Sequence, residues 1–197
     1  LRAEEDTRED WANLSWKAES CLMTGGGIGV DYSIYRRAKM VLNGTGGVSS
    51  GPIPKMKMIN EMGRNVMQGG SRRSAIYASL NWRHGDIPDF MASKNWHEMK
   101  VPGSKLSLAD LKEQDFNWPA PLDMTNISVN YDTSWYLNFL RTGDVGEAFL
   151  KNAEQALSTA EPGFSFNLFD RENETLRNAC TEVCSEDDSD VCNLGSV

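Results

Sequence analysis

Strand-like runs at residues 28–32, 75–80 and 123–131 alternate with segments whose apolar residues recur at helical spacing. This alternation constrains the fold more than any other feature. Two neighbouring strands joined through a helix run parallel, because only a long crossover returns the chain to the same end of a sheet. Ala75 to Leu80 is apolar enough for a sheet covered on both faces. Asp6 or Thr7 can cap a first helix carrying Trp11, Leu14, Ala18, Cys21 and Leu22, ended by Gly25-Gly26-Gly27. A second runs from about Pro54 to Met67 with Met56, Ile59, Met62 or Gly63, and Val66 on one face, and stops at Gly69-Gly70. Further helices are predicted over Pro88 to Ser93, from Thr133 or Ser134 through Arg141, and over Val145 to Leu157. Residues 95–122 show no clear period and are expected to form an insertion or a peripheral excursion. There are no internal repeats.

The chain has 197 residues, 40% of them hydrophobic, enough for a real core. Its net charge of −8 argues against a nucleic-acid-binding surface, which would show clustered Lys and Arg. No apolar run approaches the roughly 18 residues needed to span a bilayer, and Leu-Arg-Ala-Glu-Glu-Asp at the start is too acidic for a signal peptide. A cytoplasmic location with no membrane contact is therefore expected. Leu1 is not Met and Val197 falls within a strand-like apolar run beginning at Cys192, so the chain is read as an internal piece of a longer protein.

Two glycine-rich stretches invite a ligand. Gly25 to Ser33 places glycines before a strand, the reverse of the dinucleotide fingerprint, so a Rossmann reading fails. Asn43 to Pro52 offers backbone N–H groups and hydroxyls, including Gly46, Gly47, Ser49 and Ser50, just before a helix, which suits phosphate or base edges; a surface loop accounts for the same residues. Arg72 and Arg73, beside Gly69 and Gly70, could hold phosphate through guanidinium forks or lie on the surface. His84, at an element boundary, is read as satisfying a backbone carbonyl. Cys21, on the apolar stripe of the first helix, is read as a small buried hydrophobe.

The chemistry concentrates in residues 177–197. Asn178-x-Cys180-x-Glu182 alternates an amide, a thiol and a carboxylate, which an extended segment would place on one side facing one substrate. Cys184 and Cys192 follow, separated by the acidic run Glu186 to Asp190, read as a solvated turn. Without Cys-x-x-Cys spacing or a nearby histidine (His84 and His97 are distant in sequence), a structural zinc is not expected. A thiol-disulfide oxidoreductase would also want that accessible Cys-x-x-Cys. A nucleotide-binding regulatory module would explain the glycine loops but leaves Asn178, Cys180 and Glu182 without purpose.

Asn-x-Cys-x-Glu followed by Cys-Asn-Leu-Gly-Ser-Val resembles the finger loop and next strand of the ribonucleotide reductase large subunit. Ordered similarity extends over Gly25–Ser33, Thr45–Pro54, Gly69–Ile87, Met124–Val129 and Pro162–Val197. The Gly-Gly-Gly-Ile-Gly-Val-Asp-Tyr-Ser block, the Arg pair before His-x-Asp-Ile, and the short step from Cys180 to Cys192 look most like the adenosylcobalamin-dependent class. The resemblance implies part of a ten-stranded α/β barrel. Residues 1–24 would be a helix near the effector site, 25–94 the effector and specificity region, 123–176 barrel strands and helices, and 177–197 the finger loop and the start of the second half-barrel.

It further implies that Cys180 carries a thiyl radical, Glu182 takes the 3′-hydroxyl proton and Asn178 holds the ribose hydroxyls. Cys192 would be one of two reducing cysteines, its partner expected upstream of Leu1; Cys184 matches no family role. The implied cofactor is adenosylcobalamin, with most contacts outside this chain; a radical supplied by a metal-containing partner subunit is the alternative. Implied partners are a ribonucleoside di- or triphosphate substrate, dNTP or ATP effectors near Gly46, Gly47, Ser49, Ser50, Gly69, Gly70, Arg72 and Arg73, and a thioredoxin-like or dithiol reductant. Monomers and homodimers both occur in that class, and the chain alone is expected to be inactive.

Overall fold

A computed structural model describes residues 1–42, 44, 46–66 and 74–193. Helix α1 (Arg8–Met23) is capped by Thr7, whose hydroxyl accepts from Asp10 N, and leads into strand β1 (Ile28–Asp31). A small antiparallel hairpin follows, β2 (Val41–Leu42) with β3 (Gly47–Val48), where only a flexible stretch was expected. Helix α2 (Pro52–Asn65), strand β4 (Ile76–Asn81), and helices α3 (Ile87–Ala92) and α4 (Leu108–Gln114) come next. Then come β5 (Thr125–Asp132), α5 (Thr133–Thr142), α6 (Glu147–Thr159), β6 (Gly163–Asn167), and a second hairpin of β7 (Leu176–Arg177) with β8 (Cys184–Ser185).

Strands β1, β4, β5 and β6 form one sheet in that order, every neighbouring pair parallel, as the alternation predicts. Because side chains alternate along a strand, the register sorts the sheet into two unlike faces. Ile28, Val30, Ile76, Ala78, Leu80, Ile127, Val129 and Tyr131 point to one side and join a core with Leu14, Ala18 and Leu22 of α1 and Met56 and Ile59 of α2. Gly63 of α2 has no side chain where the Ile76 tip lies, and that brings the helix close to β4.

The opposite face is polar: Asp31 of β1, Tyr77 and Ser79 of β4, Ser128 and Asn130 of β5, Ser165 and Asn167 of β6, all buried. Some of their polar groups bond to one another, Asn130 Nδ2 donating to Ser79 Oγ (3.1 Å) and Asn167 Nδ2 to Ser165 Oγ (3.2 Å), whereas the Tyr77 hydroxyl and Asn130 Oδ1 are buried without a hydrogen-bond partner among the described residues. Pairing lowers the cost of burying such groups, and the two unpaired atoms carry that cost in full.

Residues 95–122, expected as an excursion, contain α4 with a capping box between Ser107 and Asp110, and they are tied down. Asp123 accepts from Arg64 Nη1 (2.9 Å) and Lys112 Nζ (2.8 Å), and Asn60 Nδ2 also reaches it (3.3 Å). His84 behaves as expected: its Nδ1 accepts from Asp86 N, so the Nε2–H is assigned as donor to Tyr35 O (2.6 Å).

Candidate functional site

The loop joining β7 to β8 carries the Asn-x-Cys-x-Glu motif. Antiparallel pairing of Leu176 with Ser185 and Arg177 with Cys184 closes its base. The segment is not extended, which corrects the alternation argument. Thr181 N donates to Asn178 O (3.0 Å) and Thr181 has φ 73°, so residues 178–181 turn back on themselves. The Asn178 side chain supports the turn, its Oδ1 accepting from Val183 N (3.1 Å), an Asx-type closure that a strand would not need. Its Nδ2 points to Cys192 Sγ at 3.6 Å.

Side chains that the period-2 pattern was to bring together are instead gathered by the turn around a cavity of about 510 Å³. Asn178, Cys180, Glu182 and Cys192 all line it, with Cys180 exposed and Cys192 half-buried. Cys21 packs against the core from the stripe of α1 as expected, but it is half-buried and not fully buried, and it also lines the same cavity. Cys184 is exposed, and its Sγ lies 2.6 Å from Arg177 Nη1.

Sequence reasoning missed what the first glycine run does. The Arg177 carbonyl oxygen lies 1.7 Å from where a Cβ on Gly29 would be, and Ala179 Cβ lies 3.1 Å from the same position on Gly27. The glycines let the loop lie directly on β1, a demand for close backbone approach and not for a phosphate. Asn126 Nδ2 adds a bond to Ala179 O (3.4 Å).

The acidic run is only partly solvated. Asp188 receives Lys17 Nζ of α1 at 2.5 Å and Arg2 N at 2.8 Å. Burial opposes its charge, but these bonds outweigh burial and hold its carboxyl below the usual range. Among the described residues, no group of three or more His, Cys, Asp or Glu could hold a metal ion.

Of the other candidates, Gly46 and Gly47 lie at the β2–β3 hairpin. Ser49 is buried and accepts from Gly51 N, while Ser50 is exposed and lines a separate cavity of about 350 Å³ with Ala38, Lys57, Asp86 and Asp89. The N-terminus of α2 suits a phosphate less well than expected. Pro52 and Pro54 remove N–H groups there, and an Asp86 carboxylate oxygen lies 2.4 Å from a Cβ position on Gly51. Gly69, Gly70, Arg72 and Arg73 lie outside the described residues. No described helix is long and apolar enough to cross a membrane.

A family model described as the ribonucleotide reductase barrel domain matches residues 3–131, which include β1, β4 and nearly all of β5. A vitamin B12-dependent ribonucleoside-diphosphate reductase of Thermoplasma acidophilum is 29% identical over 88% of the chain and 23% of the relative. A ribonucleoside-diphosphate reductase subunit alpha of Chlamydia muridarum is 30% identical over 87% and 20%. The solved class Id ribonucleotide reductase alpha subunit of Actinobacillus ureae shares the fold, with a TM-score of 0.55 at 14% identity over 83% of this chain and 25% of that one. The chain thus spans about a quarter or less of each relative's length. With a parallel sheet backed by helices on one face and a thiol-bearing loop on the other, the chain belongs to the ribonucleotide reductase family and forms part of its barrel domain.

Proposed function

We propose that this chain is the first half-barrel and finger loop of a ribonucleotide reductase that makes deoxyribonucleotides in the cytoplasm, using adenosylcobalamin as radical source. The observation that carries the reading is the shared cavity of Asn178, Cys180, Glu182 and Cys192 in a chain of this family. The residue types suit the task. A thiol at Cys180 has an S–H bond strong enough for its radical to take the ribose 3′-hydrogen, yet weak enough to be regenerated. The Glu182 carboxylate can take the 3′-hydroxyl proton, and the Asn178 amide, with Oδ1 engaged by Val183 N and one Nδ2 hydrogen directed at Cys192 Sγ, has its second Nδ2 hydrogen left to orient a hydroxyl. Cys192 and a second cysteine supply two electrons and two hydrogens; the 2′-hydroxyl leaves as water and the pair becomes a disulfide.

The cofactor, when bound, supplies the initiating radical. Cys180 fits that role because its thiol is exposed at the cavity, open to a group held by residues beyond this chain. Cobalamin dependence is named for the Thermoplasma relative and carried over here; a radical from a metal-containing partner subunit is the other route. The hairpin residues Gly46 and Gly47 with Ser49 and Ser50 belong on the effector side, with Gly69, Gly70, Arg72 and Arg73 relaying effector identity to the substrate base. A thioredoxin-like or dithiol reductant would recycle the disulfide.

In the full-length protein, Cys180→Ser is expected to abolish deoxyribonucleotide formation while nucleotide binding persists, because a serine O–H bond is too strong to carry the radical. Cys192→Ser is expected to keep hydrogen abstraction and to break substrate down without reducing it. Robust turnover by the Cys180 variant, or full activity of the Cys192 variant with a dithiol, overturns these assignments.

A further inference from the structure

Arg177 stands at the root of the motif loop and touches both edges of the four-stranded sheet. Its carbonyl packs on β1 in the space that Gly29 leaves empty. Its side chain crosses the polar face to β6, where Nε donates to Ser165 Oγ (2.8 Å) and Nη2 to Asn167 Oδ1 (3.0 Å). Nη1 turns back to Cys184 Sγ on the return strand of its own hairpin. Both β6 acceptors are buried, and Asn167 Nδ2 bonds to Ser165 Oγ, so the acceptor pair is already fixed before the guanidinium arrives.

A planar guanidinium with donors on three nitrogens in a rigid fork can serve these separated groups at once, whereas the three donors of an ammonium radiate from a single nitrogen. We propose that Arg177 is the positioning residue of the motif loop: it sets where Asn178 and Cys180 stand over the sheet by tying the loop to β6, with Cys184 as its third partner. This gives Cys184, which matches no catalytic role, a physical place. The proposal rests on the reductase reading only for its kinetic consequence; the geometric claim stands apart.

The test uses the full-length protein with Arg177→Met and Arg177→Lys, following iodoacetamide alkylation of Cys180 by mass spectrometry, thermal unfolding, and kcat and KM for deoxyribonucleotide formation. Loss of charge-assisted bonds at the loop root is expected to raise the Cys180 alkylation rate about tenfold and lower kcat by about the same factor, with KM unchanged. Arg177→Lys should follow Arg177→Met, since it lacks the fork. If either variant folds and keeps wild-type alkylation and kcat, even with a lowered Tm, Arg177 is a structural residue only and the proposal fails. Should Arg177→Met not fold, the double variant Ser165→Ala/Asn167→Ala removes the acceptors, and unchanged Cys180 alkylation there is equally fatal. A wild-type protein without reductase activity would refute the proposed function, while the alkylation arm would still decide the role of Arg177.

Discussion

At Gly29 a single hydrogen decides whether the loop can dock. A methyl group would sit within bonding distance of the Arg177 carbonyl, and a rigid backbone atom cannot yield as a flexible side-chain tip can. Gly29→Ala is therefore expected to lower stability by about 1–3 kcal/mol, the range for overpacking, and to expose residues 177–183 to proteases. Gly47→Ala, which meets open space at an ordinary φ, should change denaturant midpoints hardly at all. Equal effects at the two glycines would show that loop docking does not depend on Gly29. The need for Gly29 was not legible in the sequence, because its contact lies far along the chain and glycine spacing has no signature for a distant carbonyl. Asn178, Cys180 and Glu182 were legible because each carries a chemistry that packing does not demand, although the reason first given for their convergence, an extended strand, was replaced by a turn.

Elements with a long period or a good cap were read well from sequence. The Thr7 cap and the Leu14, Ala18, Leu22 stripe located α1, and alternation gave the parallel sense of β1, β4 and β5, though not the strand order. The missed elements are short: β6, the β2–β3 and β7–β8 hairpins and α4. The capping box of α4 uses Asp110 where Glu or Gln is usual, and seven residues give too few turns for a stripe. What holds residues 95–122 in place is Asp123, whose burial works against its charge but whose bonds from Arg64, Lys112 and Asn60 prevail, pulling its carboxyl down to about 2. A folded-state value below the unfolded one, near 3.9, means the contribution is complete above about pH 4 and fades as pH falls toward 2. Asp123→Asn is expected to cost on the order of 2 kcal/mol at pH 7 and to flatten the stability curve between pH 4 and 2. Chemical denaturation across that interval measures it, and parallel wild-type and variant curves would place the acid sensitivity elsewhere.

For the whole molecule, the two faces of the sheet predict how the chain behaves alone. The apolar face is backed by helices, yet those helices turn large residues outward: Leu137 and Leu140 on α5, Leu150 and Leu157 on α6, with Leu157 at 89% exposure. Phe164 and Phe166 are exposed on β6, an edge of the described sheet. Exposed apolar side chains together with a strand edge left unpaired among the described residues favour association with other chains. The site cavity, too, is lined by an exposed thiol, whereas the radical chemistry proposed for it needs water and oxygen kept out. Residues 1–197 expressed alone are therefore expected to bind a hydrophobic dye, to unfold at low denaturant or aggregate, to bind adenosylcobalamin no better than an unrelated protein, and to form no deoxyribonucleotide. Leu140→Lys with Leu157→Lys should raise soluble yield without restoring activity, since it removes only exposed apolar surface. A soluble, cooperatively folding and active product from residues 1–197 would mean that the cavity is closed and its redox pair completed within this chain, against the half-barrel assignment.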